Sequence, residues 1–394
     1  MRQSVSPSVY KTLFQVRSVR STWYLSAVQE GVMIYRALVL LLLLFAVQAA
    51  QGHTVTDASG RTVVLPDTVK RVICSGSGCL RLLCYLQAQD RVVAVDDIET
   101  RHSAFDARPY ALANPQFKDM PVFGQFRGLD NPEIILTLDP APQVIFKIFM
   151  GLGDKPDKLQ AKTGIPVVAI DSGDLGARRP QFQAALRLMG EVVGRSERAE
   201  TVIAYFEKTI HDLQARTAGI SVDEQPSVYL GGVAFKGPHG LQSTEPAYPP
   251  FTFIGARNLA LQGAGKSLSH SIIAREQIVS WNPDYLFVDL STLQMGEKAG
   301  GLYELRTDPA YATLRAVADG QVFGVLPYNW YAQNFESILA NAYFIGKTLY
   351  PDRFQDIDPA VKADEIYTSV IGKPVFSTMN TMFSNLIFTR LQVR

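Results

Sequence analysis

The residues best suited to chemistry sit in loops that glycine and proline keep irregular. The segment "GGVAFKGPHGLQSTEPAYPPF" carries Lys236, His239, Glu245 and Tyr248 just after a strand-like run. A histidine between proline and glycine can ligate a metal or hydrogen-bond a chelate, although a lone loop histidine is more often simply solvated. The segment "PYNWYAQNF" offers Tyr328, Trp330 and Tyr331. Aromatics that dense in a loop suit a flat or aromatic ligand; the plainer use is that one or two of them only pack an edge. A third loop, Ser75-Gly76-Ser77-Gly78, stands at a helix start, where backbone N–H groups can meet an anion. It is equally a tight strand–helix turn. It is no dinucleotide fingerprint, because the third glycine of G-x-G-x-x-G would fall on Arg81.

The same inventory excludes much. The histidines are His53, His102, His211, His239 and His270, and no pair has tight ligand spacing. A bare manganese or zinc ion wants three or four converging ligands, so no metal set is assigned and His239 is the one candidate. An intact iron chelate, haem or corrinoid asks instead for aromatics and a few cations, which the loops supply. An enzymatic reading, a chelatase-like metal inserter, has only His239 with Glu245 as an acid–base pair, so no catalytic residue is assigned. The net charge is +1 and no Lys/Arg block stands out, which argues against a nucleic-acid binder.

Export follows from the leader. "MIYRALVLLLLLFAVQAAQG" starts at Met33, with one charge, an apolar run from Ala37 to Val47, and small residues at Ala49 and Ala50. This is the secretory pattern, and the run is short of the ~20 residues that a membrane anchor needs. Met33 is the expected start, residues 1–32 an unused prelude, and Ala50 or Gln51 the first mature residue. No cysteine follows the run, so no lipid anchor is expected. Export argues against cytosolic metal insertion. The three cysteines, Cys74, Cys79 and Cys84, lack metal spacing and fit small buried hydrophobes; a Cys74–Cys79 bridge stays open.

The elements that must position these loops alternate strand and helix, which points to parallel βαβ units. A hairpin turns at Gly60, and strands follow in "RVICS", "DRVVAVD", "QVIFKIF" and "GIPVVAIDS". From about Pro180 to Ala218 the pattern is helical. Ser196 reads as a helix cap, and Val202, Ile203, Phe206, Ile210 and Leu213 form one stripe. Alternation then resumes in "PSVYLGGV", "DYLFVDL" and "GQVFGVL", with "PPFTFIGARNLAL" and "FESILANAYFIGKTLY" as helices. The phrase "PEIILTLDP" recurs as "REQIVSWNP" about 140 residues later, each opening a helix on a glutamate, Glu133 or Glu276. A first-turn carboxylate offsets the helix dipole by about 0.3–1 kcal/mol, reason enough for either residue. The expected layout is a leader over 1–50, an α/β lobe over 51–177, linker helices over 178–218, a second α/β lobe over 219–350 and a helical tail over 351–394.

Seven phrases in collinear order carry a family likeness: "RVICSGSGCLRLLCYLQAQDRVVAVDD", "NPEIILTLDPAPQVIF", "KTGIPVVAID", "EVVGRSERAETVIAYFEK", "REQIVSWNPDYLFVD", "DPAYATLRAVADGQVFGV" and "LYPDRF". Together they resemble the periplasmic substrate-binding proteins of iron-complex, haem and cobalamin ABC importers, over about Val55 to Phe354. The resemblance implies an α/β fold of two Rossmann-like lobes joined by one long helix, with a ligand cleft between them and modest closure. It implies a monomeric, non-enzymatic, periplasmic protein without an intrinsic cofactor. Its partners would be a metal chelate, first of all a ferric siderophore-type complex, and an inner-membrane ABC permease; cobalamin and haem stay open. Glu133 and Glu276 match the glutamates that dock onto permease arginines. In such folds ligands lie beyond the carboxyl ends of strands. That places Ser75, Ser77, Phe126, Arg127, Lys147, Lys236, His239, Tyr248, Tyr328, Trp330 and Tyr331 as cleft candidates, with Phe149 beside Lys147. Phe126 follows the family pattern of an aromatic there, and Arg127 suits an oxygen anion.

Overall fold

The computed structural model describes residues 53–149, 151–262 and 270–393; the leader expected over 1–50 lies outside them. β1 (His53–Thr56) and β2 (Thr62–Leu65) pair as the expected hairpin, with Gly60 at φ 76° in the turn, a conformation that glycine adopts without a steric cost.

The first α/β half runs β3 (Val72–Ser75), α1 (Cys79–Tyr85), β4 (Val92–Asp96), α2 (Pro109–Ala113), β5 (Val122–Gln125), β6 (Leu129–Asp130), α3 (Pro132–Thr137), β7 (Val144–Lys147), α4 (Pro156–Thr163) and β8 (Val167–Ala169). Its sheet has the order β6-β5-β4-β3-β7-β8 and is parallel except for β6. β3 and β7 are buried at every residue, as strands of a parallel sheet covered on both faces must be, which is why they read as unbroken apolar runs. All three cysteines are free and buried, Cys74 on β3 and Cys79 and Cys84 on α1.

α5 (Arg179–Val192) and α6 (Ser196–Thr217) follow. The expected stripe on α6 is buried from Val202 to Leu213. Ser196 is not its cap, however. The Arg195 N–H closes the tight α5–α6 turn on the Gly190 carbonyl, and the helix begins one residue earlier than expected, at Ser196 itself.

The second half runs β9 (Ser227–Gly231), β10 (Ser243–Thr244), α7 (Pro249–Phe253), β11 (Arg257–Asn258), β12 (Ser271–Ile272), α8 (Arg275–Trp281), β13 (Tyr285–Asp289), α9 (Gly301–Thr307), α10 (Arg315–Ala318), β14 (Val322–Val325) and α11 (Phe335–Leu349). The order β11-β9-β13-β14 is parallel throughout. The helix expected over "PPFTFIGARNLAL" stops after Phe253: Gly255 turns left-handed at φ 62°, and Arg257–Asn258 joins the sheet edge instead.

The segment after α11 is more than a helical tail. α12 (Pro359–Ile371) packs on α11, α6, α1 and α2, and α13 (Phe376–Met382) leads to a final stretch that hydrogen-bonds along β14, through Gly324 N–H to Thr389 O at 3.0 Å and Leu391 N–H to Val322 O at 2.8 Å. That stretch covers an otherwise open sheet edge. One apolar cluster runs through both halves, with Leu83 and Tyr85, Phe206 of α6, and Phe287 and Phe323 among its members.

Candidate functional site

Each sheet has a switch point where consecutive connections leave in opposite directions: at β3, flanked by β4 and β7, and at β9, flanked by β11 and β13. The loops leaving the carboxyl ends of these strands meet in a cavity of about 610 Å³. Ser77, Phe126 and Arg127 line it from the first half; Phe235, Lys236, Trp330 and Tyr331 line it from the second. Among the described residues that line it there is no carboxylate. The cavity therefore offers aromatic faces and two cations, a surface suited to an anion with apolar bulk.

Phe126 is the centre of the first wall. The Arg101 and Arg127 guanidinium carbons lie 4.7 and 4.9 Å from its ring centroid, within cation–π range. Its N–H donates to Asp97 Oδ1 at 2.7 Å. Arg127 takes φ 66°, uncommon for a residue with a Cβ, and its own N–H donates to the Tyr331 hydroxyl at 3.2 Å. Tyr331 in turn donates to Asp96 at the end of β4, so the two walls are clasped through one phenol. Burial is the main reason that Asp96 is pushed up to about 8; the neighbouring Glu99 adds to it and the Tyr331 hydrogen bond opposes it. The turn that presents Tyr331 also holds Ala332 at φ 78°, and Asn334 Nδ2 fixes it by donating to the carbonyls of Tyr328 and Trp330, each at 3.2 Å.

Several residues expected to face the cleft do not. Lys147 is fully buried: its ammonium pairs with Asp130 and donates to Ser75 Oγ and the Gly128 carbonyl, both at 3.1 Å. It and Ser75 tie the β3 and β7 ends to the β6 loop, which spends both side chains. Tyr248 and Tyr328 are each 1% exposed. The Asn341 amide donates to the Tyr248 hydroxyl at 3.0 Å, and Tyr328 donates to Glu245, whose carboxyl burial raises to about 8. His239 lines a second cavity of about 310 Å³ with Ser243 and Glu304. One of its ring nitrogens lies 2.7 Å from the Phe235 carbonyl. With Glu245 held by Tyr328 and His239 by Phe235, the acid–base pair that an enzyme would need is not assembled. No group of three or more metal-ligating side chains converges among the described residues.

Sequence reasoning missed Asp96, Arg101 and Phe235. Asp96 ends a strand beside the switch point, so the carboxyl-end rule could have found it. Phe235, stacked on the His270 ring at 4.1 Å, had only its place in the "KGPHG" loop to signal it.

Glu133 and Glu276 are both exposed, in the first turns of α3 and α8. Asn131 caps α3 by accepting the Ile134 N–H at 3.0 Å; Glu276 pairs with its neighbour Arg275 at 3.0 Å. No helix among the described residues is long and apolar enough to cross a membrane.

Comparison with known proteins agrees with this architecture. The molybdate-binding protein MolA of Haemophilus influenzae is 22% identical over 337 residues, 81% of this chain and 91% of its own. The structure of MolA bound to molybdate superposes with a TM-score of 0.62 at 21% identity, covering 82% of this chain and 98% of that one. The TroA-like periplasmic binding protein FepB of Veillonella parvula gives 0.60 at 20% identity over 81% and 96%, and the periplasmic haem-binding protein HutB of Vibrio cholerae 0.51 at 20% over 71% and 99%. These likenesses show a shared two-lobed α/β fold. Proteins of this kind work with an inner-membrane permease of an ABC transporter. The sequence profile of the periplasmic binding protein family matches residues 72–327, and with two α/β halves meeting at a cleft the chain belongs to that family.

Proposed function

We propose that the protein captures a negatively charged metal complex, an iron chelate of the ferric siderophore type, and delivers it to an ABC permease. The observation that carries this reading is the cavity of about 610 Å³ walled by Phe126, Phe235, Trp330 and Tyr331, with Arg127 and Lys236 as its cations and no carboxylate among its described lining residues. A bare metal cation finds no carboxylate, histidine or cysteine ligand among those described lining residues. A chelate with aromatic or apolar bulk and outward-facing oxygens matches both the size and the sign. On this reading Ser77, Phe126, Arg127, Lys236, Trp330 and Tyr331 touch the ligand. Ser75, Lys147, Tyr248 and Tyr328 hold the strand ends behind them, and His239 supports the Phe235 loop.

A second reading, a bare oxyanion, is favoured by the relative named for molybdate, which spans 81% of this chain. Haem and cobalamin are further members of the same transporter class. The leader supports residence in the periplasm, and Glu133 and Glu276 are the proposed docking points on the permease. Metal content and the visible spectrum of protein isolated from its native periplasm test the ligand. Iron with a charge-transfer band is expected. A Soret band, a corrinoid band, or molybdenum without iron overturns the iron-chelate assignment.

A further inference from the structure

Arg81, in the first turn of α1, is 1% exposed, yet its Nε and Nη1 have no hydrogen-bond partner among the described residues. It forms no ion pair there. Its guanidinium carbon lies 4.8 Å from the Phe335 ring centroid, and the nearby buried carboxyl, Glu336, is engaged by Tyr85 through Oε2 while Oε1 is unpartnered. Burial raises the Glu336 carboxyl and the charge of Arg81 opposes that rise, so the two groups feel each other, but Glu336 accepts no hydrogen bond from the guanidinium. A buried guanidinium without its hydrogen bonds is costly to a fold and is kept where something else completes it.

Its position shows where that partner would come from. A Cβ built on Gly78 would stand 2.7 Å from Arg81 Nη2 and 3.2 Å from the Ala332 Cβ. Ser77 and Ala332 both line the cavity. Arg81 Nη2 thus lies close against Gly78 (φ 84°), beside the lining residues Ser77 and Ala332, at a distance that a residue without a Cβ permits. We propose that Arg81 is a third ligand-binding cation, which takes anionic oxygens of the bound complex through the gap between Gly78 and Ala332. The proposal rests on the reading of this cleft as an anion site, and deepens it: the ligand carries an oxygen-anion edge directed at the Ser77–Gly78 floor. Arg127 and Lys236 line the cavity itself, whereas Arg81 waits behind it.

Calorimetric titration of the protein with molybdate, and separately with ferric tris-catecholate, tests this. Whichever anion the wild type binds, Arg81→Met should weaken binding roughly 10- to 100-fold and Arg81→Lys should recover part of the loss. Glu336→Gln, which alters the same buried network but not the cleft, should bind within about threefold of wild type. The Arg81 Nε–H resonance of the wild-type protein, assigned with the lysine variant, should shift on saturation, which keeps the test decisive if the methionine variant does not fold. Unchanged affinity in Arg81→Met, an equal loss in Glu336→Gln, an unmoved Nε–H resonance, or a wild type that binds neither anion overturns the assignment. Arg81-dependent binding of molybdate alone upholds Arg81 and ends the iron-chelate reading. Arg81-independent binding of the ferric complex does the reverse.

Discussion

Asp96 sits where the two walls of the cleft touch, and its proton has consequences for stability. Its carboxyl is held at about 8 by burial, with Glu99 adding to the effect, against an ordinary value near 3.8. A raised carboxyl means that the folded state binds more protons than the unfolded one between those values, so the stability it carries is complete below about 4 and is lost as pH rises through about 8. Asp96→Asn removes that loss while still offering the Tyr331 hydroxyl a partner. The melting temperature of the variant relative to wild type should therefore climb steadily from pH 5 to pH 8; a difference that stays flat with pH counts against the buried proton. Arg127 makes a separate case. Its guanidinium stacks on Phe126, while only its backbone joins the clasp. Arg127→Ala should cost roughly 10-fold in affinity for an anionic ligand, read by titration, with the melting temperature nearly unchanged. Equal affinity in the variant would remove Arg127 from the site.

The elements show what periodicity does and does not reveal. α6 was legible because its apolar stripe repeats at the helical period over a long stretch. The parallel strands were legible because burial on both faces writes itself as continuous apolar runs. The role of α12 was not, because nothing local in its sequence records what it packs against. Arg198 of α6 donates to the Tyr85 carbonyl at 2.9 Å and to the Ser369 and Val370 carbonyls at 2.7 and 2.9 Å, joining the ends of α1 and α12; Lys373 adds a bond to the Ala113 carbonyl at 2.6 Å. These long-range bonds fasten the C-terminal helices to the first half. In the proposed site, Lys236, Trp330 and Tyr331 were legible as cationic and aromatic chemistry in irregular loops, and all three line the cavity. Lys147 and Tyr328 carry the same chemistry, but buried partners consume it, and sequence shows the group without the partner. Phe206 tests the element directly. Its ring meets Phe182 edge-on at 5.2 Å and lies 6.0 Å from Tyr85, joining α6 to α5 and α1. Phe206→Ala should cost about 3–5 kcal/mol, read as a lower urea midpoint. A cost under about 1 kcal/mol would mean that α6 is not a structural brace.

At the scale of the whole molecule, three connections bear on how far the halves can move: the 22-residue helix α6, the packing of α12 on α1, α2 and α11, and the Tyr331 clasp at the cleft mouth. A hinge needs a few residues free to change φ and ψ, and a helix fastened at several points offers few. Ligand binding should therefore change the radius of gyration by less than about 1 Å in solution scattering, far below the closure of a hinged two-domain protein. Small closure constrains how a permease could sense loading. With little change in shape, recognition has to rest on fixed points present in the free protein as well. Glu133 and Glu276 have that character, for both are exposed in short helices that lead into a sheet strand, β7 in one half and β13 in the other. The Glu133→Arg, Glu276→Arg double variant should then abolish ligand uptake by cells while binding ligand as tightly as wild type in solution. Each single reversal should leave partial uptake, since one contact remains. Uptake that survives the double reversal would end the docking role, and the two carboxylates would then be left to offset their helix dipoles, with Glu276 also pairing Arg275.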